Sequence, residues 1–202
     1  MSMKIAVLLF DEFETLDVFG PVEVFGCLKG LFQIKFYSEN GGIVKNSHGV
    51  LIQTQNLNEI ENEVDIFLIP GGYGTRVEVE NENLLKAIRS IDKISKNVFT
   101  VCTGSALLAK TGLLDGKVAT SNKKAFDWVM TQGDKVLWKR KARWTKDGKY
   151  YTSGGVSAGI DMSLAFLQEK YGLDFARNTA FGIEYNWIED MEEDNFYSEY
   201  LK

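Results

Sequence analysis

Two cysteines and one histidine are the whole stock of thiol and imidazole chemistry in these 202 residues. Cys102 is the more telling of the cysteines. It ends the apolar run Val98-Phe99-Thr100-Val101, and Thr103-Gly104-Ser105 then open a helical pattern. A thiol at a strand-to-helix junction faces amides whose dipole stabilises negative charge by ~0.3–1 kcal/mol, up to ~2 when partly buried. One pKa unit is ~1.4 kcal/mol, so the position predicts a thiol lowered from about 8.5 to roughly 7–8. Cys27, on the apolar side of an expected helix, reads instead as a small hydrophobe.

The helper for such a thiol is usually histidine. Here His48 sits in the polar turn Asn46-Ser47-His48-Gly49, a composition typical of surface turns. A Cys–His dyad therefore lacks material, and no metal-ligand spacing is present. No metal or cofactor is expected. Carboxylates remain, in "DEFETLDVFGPVEVFG" (11–26). Asp11 and Glu12 read as solvated loop charges. Asp17 differs, flanked by Leu16, Val18 and Phe19 where an apolar helix begins. An acid there stabilises the helix in its own right. Apolar surroundings also raise a carboxyl pKa, and a neutral carboxyl can donate a hydrogen bond to a thiolate. Spacing alone does not choose between the two roles. Gly71 and Gly72, with Thr103, are candidates to offer backbone amides to developing negative charge, since glycine lets a backbone approach closely. They read equally well as a plain loop after a strand, and "GGYGT" lacks the lysine-serine pair of a phosphate-binding loop.

The elements that must position these groups alternate. "KIAVLLF" (4–10) is a continuous apolar run, the pattern of a strand buried on both faces of a parallel sheet; "VDIFLIP" (64–70) reads as another buried strand and 97–101 as a further strand. "FQIKFYS" (32–38) alternates as a strand, and 41–55 and 142–153 read as hairpins, the second turning at Asp147-Gly148. Helices are expected over 15–28, beginning or kinking at Pro21, and over 82–95, 103–112, about 123–132 and 157–172. Buried strands alternating with helices predict a mostly parallel sheet covered on both faces, with function gathered beyond the carboxyl ends of the strands. The loop after Phe10, the loop after Pro70 and Cys102 all fall there. No repeat or linker interrupts the chain, so 1–202 is expected to be a single domain.

At these residues the chain resembles the ThiJ/PfpI superfamily, related to the class I glutamine amidotransferase-like fold. The matching pieces are "LLFDEFETLDVFGPVEVFG" (8–26), "IFLIPGG" (66–72), "VCTGSALLAKTGLLDGKVAT" (101–120) and "YTSGGVSAGIDMSLAFL" (151–167). The resemblance implies a flavodoxin-like α/β three-layer sandwich, a reactive Cys102 on a nucleophile elbow, Asp17 as its acidic partner, and a homodimer. Protease-like branches follow the cysteine with histidine; this chain has Thr103. Asp17 with "CTG" is closest to the isocyanide hydratase branch, implying a lyase that adds water to a small electrophile such as an isocyanide, giving an N-substituted formamide. Hydratase-type sequences tend to carry Thr-His-Trp where this chain has Ser121-Asn122-Lys123. Alternatives are a glyoxalase-like dicarbonyl hydratase and a non-enzymatic redox sensor built on an oxidisable thiolate.

Composition bounds the partners. With 45% apolar and 25% charged residues the chain reads as a soluble globular protein, with no apolar run near the ~20 residues of a membrane span. A net charge of −5 argues against nucleic acid. The one basic cluster, "WKRKARW" (138–144), reads as the solvated face of a strand, and the acidic end as a solvated or subunit-contacting tail. Two cysteines make no disulfide framework, so a cytoplasmic location is expected, with a small molecule as partner.

Overall fold

The computed structural model describes residues 2–61, 63–192 and 194–197. An eight-stranded sheet forms its centre. The strands in chain order are β1 (Met3–Leu8), β2 (Phe32–Ser38), β3 (Gly42–Lys45), β4 (Leu51–Asn56), β5 (Val64–Ile69), β6 (Ser95–Val101), β9 (Trp144–Asp147) and β10 (Tyr150–Ser153). Two short strands, β7 (Val118–Ala119) and β8 (Leu137–Trp138), pair apart from it. The order across the sheet is β3-β4-β2-β1-β5-β6-β10-β9. The six inner strands run parallel, and the edge strands β3 and β9 run antiparallel as the outer arms of hairpins.

Burial explains the order. Val7, Leu8, Ile66, Phe67, Val98 and Phe99 are shielded on both faces in the three central strands, where continuous apolar runs belong. The edge hairpin instead leaves Ile43 and Leu51 exposed. From β1 the chain crosses to β2 on one side; from β5 it crosses to β6 on the other. Right-handed crossovers in opposite directions place their helices on opposite faces. Thus α1 (Thr15–Gly26) packs with α6 (Ala158–Tyr171), which carries α7 (Leu173–Gly182), while α3 (Glu82–Ile94) and α4 (Gly104–Lys110) pack together against β5 and β6. Sandwiched between these layers, the mostly parallel sheet gives the expected three-layer α/β architecture.

Several details differ from the expectation. α1 runs through Pro21 rather than starting there. The short α2 (Thr75–Glu78) and the whole of α7 follow glycines read as loop or stop signals; Gly172 does end α6 with φ 96°, but α7 begins at the next residue. α5 (Phe126–Met130) is a shorter helix than 123–132. Cys27 is not packed as a hydrophobe: it caps the C-terminus of α1 and is exposed. In the basic cluster, Arg143 and Trp144 are buried. The partners of Arg143, carboxylates on α6 and near the C-terminus, come from segments remote in sequence. Of the acidic end, Glu193 and residues 198–202 lie outside the described residues.

Candidate active site

Three loops meet at the carboxyl end of the sheet, on either side of the point where its winding direction reverses. The loops after β1 and β5 are laced by backbone hydrogen bonds, Glu14 N donating to Gly71 O (2.8 Å) and Gly74 N to Glu12 O (3.2 Å). Cys102 follows β6 directly, with φ 57°, a region costly for a residue with a Cβ. The turn is held from both ends. The Cys102 amide donates to Gly154 O (3.1 Å), and its carbonyl accepts from Ser105 Oγ (3.0 Å) and Ser121 Oγ (2.8 Å). Gly104 is required by crowding, since a Cβ there would lie 2.3 Å from Ile69 O. The strain is thus imposed by a rigid surround, as strained active-site residues generally are.

Asp17, in the first turn of α1, is fully buried beside this elbow. One oxygen, Oδ2, accepts from the Gly71 amide at 2.9 Å. The other, Oδ1, has no hydrogen-bond partner among the described residues. Burial holds the Asp17 carboxyl well above the usual carboxylate range; the Gly71 amide opposes this, nearby Glu14 adds to it, and the Cys102 thiol and Val156 amide pull weakly the other way. A Cβ on Gly71 would lie 2.8 Å from Asp17 Oδ2 and 2.6 Å from Thr103 N, so only glycine lets these loops close.

The thiol environment corrects the expectation of a lowered pKa. Burial pushes the Cys102 thiol well up, and the facing Asp17 adds to that. The Thr103 and Val156 amides and the Asn122 side chain favour the thiolate without overcoming burial. The thiol and carboxyl therefore behave as one buried unit in which double ionisation is suppressed. The glycines are a second correction. The Gly71 amide is committed to Asp17, and the Gly72 amide donates to Thr103 Oγ1 (3.1 Å). Neither is free to receive developing charge. The amides that face the sulfur are those of Thr103 and Val156.

Val156, between Gly155 and Ser157, has φ 49°, an outlier for a β-branched residue. In sequence it is a plain valine within 153–159, and Ser121 and Asn122 stand out only as a departure from the resembled pattern. Such polar residues signal nothing until folding brings them beneath Cys102. The elbow opens into a cleft of about 620 Å³, whose walls include Glu14, Arg76, Lys124, Trp128 and Phe196. Of the four tryptophans, Trp128 lines the cleft and Trp144 is core. His48 stays exposed in its turn, bonded to Thr15 Oγ1 (2.8 Å) and outside the cleft wall. Among the described residues, no cluster of His, Cys, Asp and Glu is arranged to hold a metal ion. No helix there is long and apolar enough to cross a membrane.

The fold and site define a doubly wound α/β protein with a buried cysteine on a left-handed elbow, facing a carboxyl from the first turn of α1. The chain belongs to the DJ-1/PfpI family, which matches residues 3–169. It is 34% identical over 185 residues to isonitrile hydratase of Pseudomonas putida, covering 92% of this chain and 79% of that one. It is 27% identical over 180 residues to the HTH-type transcriptional regulator CdhR of Pseudomonas aeruginosa, covering 87% of this chain but 53% of the regulator. A solved ThiJ/PfpI family protein from Pseudomonas syringae superposes with a TM-score of 0.83 at 26% identity, covering 92% of this chain and 76% of that one.

Proposed function

We propose that this protein is a cysteine-dependent hydratase that adds water to a small electrophilic carbon, converting an isocyanide to an N-substituted formamide. The observation that carries this reading is the buried pairing of Cys102 with Asp17, whose Oδ1 has no partner among the described residues. A carboxyl pushed toward its neutral form, beside a thiol, is suited to pass one proton back and forth. The likeness to an isonitrile hydratase supports the substrate class.

In this mechanism the sulfur of Cys102 bonds to the terminal carbon of R–N≡C. The thiol proton passes through Asp17 to that same carbon, leaving a thioimidate, R–N=CH–S. Water then adds to the carbon while Asp17 takes a proton from it and returns one to nitrogen. The C–S bond breaks, the hydroxyl proton goes back to sulfur, and R–NH–CHO leaves. The Thr103 and Val156 amides stabilise the sulfur while it carries negative charge. No oxidant or cofactor enters this balance.

Two observations weigh against the alternatives. The single histidine, useful to dicarbonyl chemistry, does not line the cleft. Burial that raises the thiol pKa disfavours ready oxidation. The direct test is incubation with an isocyanide, following formamide by NMR. Wild type is expected to turn over and Cys102→Ala to be inert; formamide production by the alanine variant would end the proposal.

A further inference from the structure

The cleft mouth carries two cations with no carboxylate partner among the described residues. Arg76 of α2 and Lys124 both line it and are exposed. Among the described residues, neither has a carboxylate within salt-bridge distance. Acids on neighbouring elements are engaged elsewhere: Asp127 with Arg140, Glu80 with Lys110, and Glu78 with Asn81. Of the acids lining the cleft itself, Asp194 pairs with buried Lys123 at 3.8 Å, and Glu14 lies 3.9 Å from His48 Nδ1. In a chain of net charge −5, such cations at the entrance to a reactive site call for an explanation.

Arg76 is also held in place. Its guanidinium carbon lies 4.0 Å from the centre of the Trp128 ring, a cation–π contact. Nη1 donates to Thr75 Oγ1 at 3.2 Å, and that hydroxyl donates to Thr103 Oγ1 at 3.1 Å. The guanidinium is therefore two hydrogen bonds from the residue that follows Cys102. A planar guanidinium that is already oriented loses less freedom when it takes a carboxylate in a two-point bond.

We infer that the cleft selects substrates carrying a carboxylate a few bonds from the electrophilic carbon, with Arg76 as the carboxylate anchor and Lys124 adding to the local positive field. This rests on the hydratase reading for the reaction, though not for the anion site. Isocyanoacetate, with one methylene between nitrogen and carboxylate, is a small member of this class.

The test compares kcat/KM for isocyanoacetate and for its uncharged methyl ester, in wild type, Arg76→Gln and Lys124→Gln. Wild type is expected to prefer the acid roughly tenfold, the size of one charge-assisted hydrogen bond. Arg76→Gln should bring the ratio near one, mainly through KM, and Lys124→Gln should reduce it less. Added salt should also shrink it. An equal or reversed preference in wild type overturns the inference, as does a preference that survives in Arg76→Gln. Should neither isocyanide turn over, the hydratase reading fails while the anion site is still tested by calorimetry on Cys102→Ala. There N-formylglycine must bind more tightly than its methyl ester, and Arg76→Gln must abolish that difference; equal binding of the two refutes the anchor.

Discussion

Two buried polar clusters flank the start of α6, and they resolve the same physical problem in opposite ways. On one side are Cys102 and Asp17. On the other, Arg143 grips Asp161 through Nε (2.9 Å) and Nη2 (2.7 Å) and lies 3.6 Å from Asp194, which in turn lies 3.8 Å from Lys123. In this second cluster the polar atoms find partners. Asp161 Oδ1 accepts from the Ile188 amide at 3.0 Å, and Lys123 donates to Thr120 Oγ1, Ser121 O and Ala142 O. In the first cluster Asp17 Oδ1 has none among the described residues. Burial penalises charge in both, raising Asp17 and Asp161 and lowering Lys123 to about 8. Where partners complete the shell, the result is a rigid joint. Where one is withheld, a proton remains available for exchange.

If the ion cluster is a joint, breaking it should cost stability first. Arg143→Met leaves Asp161 buried without its cation, and removal of one member of a buried pair typically costs ~3–5 kcal/mol. Urea unfolding at neutral pH should show a loss of that size. Folded protein recovered at low temperature should still contain a thiol that reacts at the wild-type rate with a small alkylating agent. A loss below about 1 kcal/mol would mean that the cluster is not the structural half of the contrast.

Asp17→Asn should behave in the reverse sense. The amide keeps an acceptor for Gly71 N but no proton to exchange, so activity should fall at least the ~10²-fold typical of a general acid–base group. Stability should not fall with it. Because the folded-state pKa of Asp17 is raised, the folded protein holds that proton more tightly than the unfolded chain does. Stability then declines as pH rises from the ordinary carboxylate range toward the raised value. Asparagine lacks this decline, so its melting temperature relative to wild type should increase as pH rises above the ordinary carboxylate range of about 4. A difference that shrinks with pH would show that the carboxylate is stabilised in place, contrary to its unpaired oxygen.

The contrast also marks what was legible in the sequence. An apolar run such as Ile66-Phe67-Leu68-Ile69 announces a strand covered on both faces, because successive strand side chains point to opposite faces and all four are buried. The strand-end positions of Cys102 and Gly71 follow from that topology, as does the placing of Asp17 at the start of the helix after β1. The chemistry of their neighbours does not. Val156 looks in sequence like an ordinary core residue, yet its φ is positive and its side chain is exposed. Arg143 looked like one solvated charge among several because Asp161 and Asp194 stand 18 and about 50 residues away. Burial also outweighed the helix amides at Cys102: a dipole effect of up to ~2 kcal/mol is smaller than the cost of charging a group removed from water.

Ser121 lies where the two clusters touch, and its substitution should have the smallest effect. Its hydroxyl donates to the Cys102 carbonyl at 2.8 Å, while its own carbonyl accepts from Lys123 Nζ at 3.3 Å. Ser121→Ala removes the first contact and keeps the second. The Cys102 carbonyl still accepts from Ser105 Oγ, so no buried acceptor is orphaned and the cost should be about 1 kcal/mol of stability. Activity should drop only severalfold, since the sulfur keeps its facing amides. A fall of a hundredfold or more at unchanged stability would place Ser121 among the groups that act on the reacting atoms. It would also erase the boundary between the joint and the reactive pair, because one residue would then belong to both.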